Sequence, residues 1–119
     1  MVTVVKINHE HANFTHYIGR EWAGIPESPF HNPFHLGKDG NRDEVLLKFI
    51  FYWYAPEQKN LRDLARIMID PNARLGCWCK PLDCHGDIIA GYLNWRFYDL
   101  GLLEKGQAGF DFGGPPNVF

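Results

Sequence analysis

The chain has 119 residues, 45% of them hydrophobic and 22% charged, with a formal net charge of −2. That length is expected to make one domain that buries a core without help from a disulfide or metal. The slight acidic balance excludes a global basic field for nucleic acid or acidic membranes, and no apolar run reaches the ~20 residues of a membrane span.

From the first residue, MVTVVKINHEH carries no charged stretch followed by an apolar core, so no secretory signal is expected. The β-branched run within Val2–Ile7 reads as a first strand. HYIGR, His16 to Arg20, reads as a second short strand closing at a glycine. The loop EWAGIPESPFHNPFHLGKDG follows, where Pro26, Pro29 and Pro33 forbid a continuous helix or central strand. A loop of that length inside a small domain is more often functional than idle.

Asn41 and Glu44 have capping-box spacing and predict a helix start at Arg42. RDEVLLKFIFYWY then sets Val45, Phe49 and Trp53 on one stripe, with Leu46 and Ile50 beside it. Its second half is apolar nearly all round, which predicts burial on several sides or an interface. Pro56 ends the helix. A second helix is expected over EQKNLRDLARIMI, with Leu61, Leu64, Ala65 and Met68 facing the core. RLGCWC reads as a strand stopped by Pro81, and DCHGDIIAGYLNWRF as a last helix with Asp83 or Cys84 at its cap and Asp87 in its first turn. The order predicts an α/β fold, a small single-domain sheet of few strands flanked by about three helices. The domain is expected over residues 1–99, with 100–119 an extended tail containing Gly, Pro and Phe.

The stretch CWCKPLDCHGD concentrates the chemistry. All three cysteines, Cys77, Cys79 and Cys84, lie within eight residues, an odd and clustered set unlike a disulfide framework. Strand alternation puts Cys77 and Cys79 on one face and Trp78 on the other, so both thiols are expected to pack as small hydrophobes. No cofactor is expected. Zinc held by Cys77, Cys79, Cys84 and His85 is the alternative, although the C-x-C spacing and the adjacency of Cys84 to His85 are awkward for chelation. Cys84, His85 and Gly86 fall where a strand end meets a helix N-terminus, an arrangement that draws phosphate or carboxylate. Gly86 there allows close approach of a ligand or of another backbone.

Arg20 and Arg42 follow glycine-containing turns and offer a bidentate anion clamp, or else an ion pair such as Arg20 with Asp43 or Asp87. Asn32 before Pro33 reads a ligand edge with its amide, or closes an Asx turn. Should chemistry occur, Cys84 is the candidate nucleophile, His85 the proton carrier, and Asp87 or Asp43 the acid/base, which would suit a hydrolase or transferase.

HYIGR, NPF at Asn32 to Phe34, GKDGNRDEV at Gly37 to Val45 and LGCWCKPLDCHGDIIAGYL at Leu75 to Leu93 occur in that order. Together they resemble an uncharacterised family of phages and bacteria that shares an IGR element, an NPF turn, a G-x-D-G-x-R-[DE]-E helix start and a CWC-x-P-x-x-CHGD block. The likeness covers about residues 16–95. It departs where the family has Trp-Gly before NPF, for here the loop is longer and His31 stands in place of Gly. The resemblance implies the fold and no settled activity.

The expectation is a pocket joining Arg20, Asn32, Arg42, Cys84, His85 and Gly86 around a small anionic ligand: a nucleotide, a nucleoside or another phosphorylated molecule. The alternative of another class is a phage or host protein-interaction module, in which the aromatic helix and the tail bind a partner or a second copy. Nucleic acid and membrane are disfavoured as partners. The odd, clustered thiols point to a reducing cytoplasm, the host's if the chain is phage-encoded.

Overall fold

A computed structural model describes residues 1–99 other than 9, 11 and 23. The three strands are β1 (Thr3–Lys6), β2 (His16–Tyr17) and β3 (Arg74–Cys77). They form one parallel sheet in the order β1-β3-β2. Thr3 pairs with Arg74 and Lys6 with Cys77, while His16 and Tyr17 pair with Leu75 and Gly76. Parallel neighbours need a long crossover, and the chain between β1 and β3 supplies it as two helices. These are α1 (Arg42–Tyr54) and α2 (Lys59–Ala65), and α3 (His85–Asp99) follows the sheet. The protein is thus a small α/β domain.

The start of α1 is fixed as its sequence predicts. Asn41 Oδ1 accepts from Glu44 N at 2.9 Å, and Glu44 Oε1 accepts from Asn41 N at 3.0 Å. Val45, Phe49 and Trp53 are buried, and Ala55 and Pro56 turn the chain into a 3-10 turn over Pro56–Gln58. The expectation of burial on several sides of α1 needs correction, because Leu47 and Phe51 are exposed on its other face. The second helix is also less regular than its spacing predicts. α2 has seven residues between that 3-10 turn and another over Arg66–Met68. The tighter turns shift the helical phase, so Ala65 and Met68 are buried while Leu64 is exposed.

Both strand readings were too long. β2 stops at Tyr17 and β3 at Cys77, so Cys79 lies off the sheet in a turn where Leu82 N donates to Cys79 O at 2.9 Å. The core between sheet and helices contains Ile18, Phe49, Trp53, Met68, Leu75, Ile89 and Leu93, all fully buried. Asn94 of α3 reaches back to the first strand. Its Oδ1 accepts from Val2 N at 2.7 Å and its Nδ2 donates to Val2 O at 3.1 Å. The expected tail over 100–119 lies outside the described residues. Among the described residues no helix is long and apolar enough to cross a membrane.

Candidate functional site

Beyond the carboxyl ends of β2 and β3 lies a cavity of about 500 Å³. In parallel sheets this edge is where ligands bind, because the loops that leave the strands are free to diverge there. Three walls enclose it: the loop after β2, the start of α1, and the junction between β3 and α3.

The loop wall is held by one guanidinium. Arg20 Nη2 donates to Asn32 O and to Phe34 O, both at 2.7 Å, and so folds the loop back on the strand that precedes it. Ser28 N donates to Gly19 O at 2.9 Å and fixes the turn between. Asn32 Oδ1 accepts from Phe34 N at 2.9 Å, an Asx turn that commits the amide oxygen to the backbone. Tyr17 ties this wall to the next. Its hydroxyl donates to Arg20 O and accepts from Trp78 Nε1, the latter at 3.0 Å. Trp22 meets the Trp78 ring edge-on with centroids 6.4 Å apart, and both rings line the cavity.

The helix wall presents Arg42, Val45 and Leu46. Arg42 Nη1 donates to Asp83 O at 2.9 Å, and Arg42 lines the cavity together with Cys79. Among the described residues neither Arg20 nor Arg42 makes a salt bridge, so the expected pairing of Arg20 with Asp43 or Asp87 does not form.

The junction wall holds the cysteines. The Cys77 thiol hydrogen-bonds both the Cys79 and the Cys84 sulfur, and these bonds, with burial, push Cys77 up and keep it protonated. The same bond from Cys77, helped by the Arg42 guanidinium, brings Cys79 down to about 6. Cys84 is lowered as well, first by Cys77 and then by the Gly86 N–H at the start of α3. His85 is buried beneath them. Its Nε2 lies 2.7 Å from Ile18 O and must be the donor there, since a carbonyl only accepts. Burial pushes His85 down to about 4, so the ring is neutral. One donor atom each from Cys77, Cys84 and His85 falls within 4.8 Å of the others, close enough to hold a metal ion.

Arg20, Asn32, Arg42, Cys84 and His85 therefore line one cavity, while Gly86, Asp87 and Asp43 do not. A Cβ on Gly86 would sit 2.7 Å from Ile18 Cδ1 and 3.0 Å from Val4 Cγ1, so its glycine serves the packing of α3 on the sheet. Asp87 accepts from Cys84 N at 3.1 Å and pairs with Lys80, which makes it a cap for α3. Asp43 is exposed in the first turn of α1. Sequence reasoning gave no site role to the lining residues Glu21, Trp22, His35 and Trp78, and read Cys79 only as a packed thiol or a zinc ligand. For Cys79 a signal was available in Pro81, two residues on, which marks the turn that lifts it off the strand.

No solved structure matches the chain. A curated relative from Enterobacteria phage T4, described as "Uncharacterized 12.4 kDa protein in nrdA-td intergenic region", is 34% identical over 67 residues, which is 55% of this chain. The match spans 61% of that relative's own length. A family model described as "Domain of unknown function (DUF4326)" matches residues 4–95. That span takes in every residue lining the cavity, from Gly19 to His85, and the chain belongs to this family.

Proposed function

We propose that the cavity binds a small ligand of the nucleotide or nucleoside class, or another phosphorylated molecule. The observation that carries this reading is the presence of Arg20 and Arg42 on one cavity, neither making a salt bridge among the described residues. Backbone carbonyls hold each guanidinium in place, so an entering anion meets fixed donors and little ordering is left to do. Trp22, Phe34 and Trp78 add the flat apolar surface that a base or sugar face needs. A hydrolase or transferase step would need an acid or base facing the cavity. Of the expected acid/base groups, His85 is held neutral by burial and the two aspartates lie off the lining, although Glu21 and His35 also line the cavity. Binding is the reading that the paired arginines support best. Three free thiols suit the reducing cytoplasm.

The test is a thermal-shift titration with nucleoside mono- and diphosphates and inorganic phosphate, alongside native mass spectrometry of freshly purified protein. Stabilisation by a phosphate-bearing ligand, lost in Arg42→Gln, is the expected result. No shift at millimolar ligand, together with no copurified molecule, would remove the reading.

A second reading rests on the donor cluster: zinc held by Cys77, Cys84 and His85, with Cys79 beside them. Thiolate and imidazole are the donors zinc takes, and the bond from His85 Nε2 to Ile18 O is of the outer kind that orients metal-binding rings. Elemental analysis of protein purified without chelator decides it, with one equivalent of zinc expected.

A further inference from the structure

We propose that Cys79 is the reactive thiol of this cavity and that it takes small electrophiles carrying a negative charge. The inference deepens the anion-binding reading and rests on it.

Sequence spacing pointed to Cys84 as the nucleophile, and the geometry points elsewhere. Cys77 and Cys84 are only 3% and 2% exposed, whereas Cys79 is half-buried and lines the cavity. The difference follows from the end of β3. Had the strand run on, Cys79 would lie under the sheet beside Cys77, but the chain turns after Cys77 and swings Cys79 toward Arg42. Arg42 and Arg20 line the same cavity as Cys79. Reactive cysteines sit in partly exposed, electropositive surroundings of this kind, while thiols sealed in apolar packing are inert.

Two guanidinium groups around one accessible sulfur also select its partner. A molecule with a carboxylate or phosphate next to an electrophilic carbon would be held by the arginines with that carbon near Cys79. The step is a displacement. The sulfur lone pair forms the new S–C bond, the bond from carbon to the leaving group breaks with its electrons going to that group, and the thiol proton passes to water.

The experiment compares iodoacetate, which is anionic, with iodoacetamide, which is neutral, on the full chain, and maps the modified cysteine by peptide mass spectrometry. Ordinary thiols react faster with the neutral reagent. Here Cys79 is expected to be carboxymethylated first, with the iodoacetate-to-iodoacetamide rate ratio raised ~tenfold or more over free cysteine by the local field. Inorganic phosphate should slow the reaction, and Arg42→Gln should return the ratio to that of free cysteine. Modification of Cys84 or Cys77 first, or a ratio like that of free cysteine, overturns the proposal. So does protection of all three thiols that only a chelator relieves, which would assign them to metal. Thermal shift of a Cys79→Ser variant by phosphate-bearing ligands reports the anion-binding reading separately, so either can fail alone.

Discussion

Two walls of the cavity are built on different principles. The junction between β3 and α3 is knit into the core: His85 packs edge-on against Phe49 with ring centroids 5.2 Å apart, and Gly86 lets α3 settle on Ile18 and Val4. Among the described residues between Trp22 and Asn41, the loop after β2 has no regular structure beyond a single bridge from Trp22 to Ile25. It is held by the Arg20 guanidinium and anchored by Phe30, which packs edge-on against Trp53. Residues on the first wall serve stability and site together. Those on the second are placed by a few hydrogen bonds and by the packing of Phe30 and Phe34, which makes that wall the easier one to reshape.

The largest effect that would sharpen this contrast is on pH. His85 is pushed down to about 4 by burial, against 6.5 when unfolded, so the unfolded chain binds the extra proton between those values. Stability is then complete above about 6.5 and is lost as pH falls toward 4, by roughly 3 kcal/mol in metal-free protein. Urea midpoints across that range check it, and His85→Gln should flatten the curve. An unchanged slope in the variant would break the assignment of the junction wall to the core.

On the loop wall, Arg20→Ala removes two charge-assisted bonds to carbonyls and should cost about 2 kcal/mol. Its effect should be local, with faster amide exchange between Trp22 and Phe34 while α3 stays protected. Uniform loss of protection across the domain would show the two walls to be one unit. Gly86→Ala is a smaller change. Its methyl presses on the tips of Ile18 and Val4, partly offset by better helix preference, for a net loss of about 1 kcal/mol measured by denaturant. The smallest effect on stability belongs to Arg42→Gln, under about 0.5 kcal/mol, since its one carbonyl contact is exposed. A large loss there would mean that Arg42 supports the fold.

Much of the scaffold was legible because local rules decided it. The capping pair Asn41 and Glu44, the stripe Val45, Phe49 and Trp53, and the β-branched run of β1 each read out within a few residues. What could not be read was decided between segments. Nothing near Arg20 shows that it will grip the carbonyls of Asn32 and Phe34, because those acceptors depend on how the loop closes. The same holds for Cys79. Alternation assumes a continuing strand, and β2 pairs with β3 only through Leu75 and Gly76, so nothing on that side carries the ladder past Cys77. Gly86 looked like room for a ligand and turned out to be room for Ile18.

The reach of Asn94 back to Val2 bears on how the chain is made. On the ribosome, Thr3–Lys6 emerges well before its pairing partner Arg74–Cys77, and the tether of Val2 to Asn94 waits on α3. Such distant pairings fold slowly. The first strand must therefore wait for the roughly seventy residues that separate it from its partner, and its two valines are the segment a chaperone would need to shield.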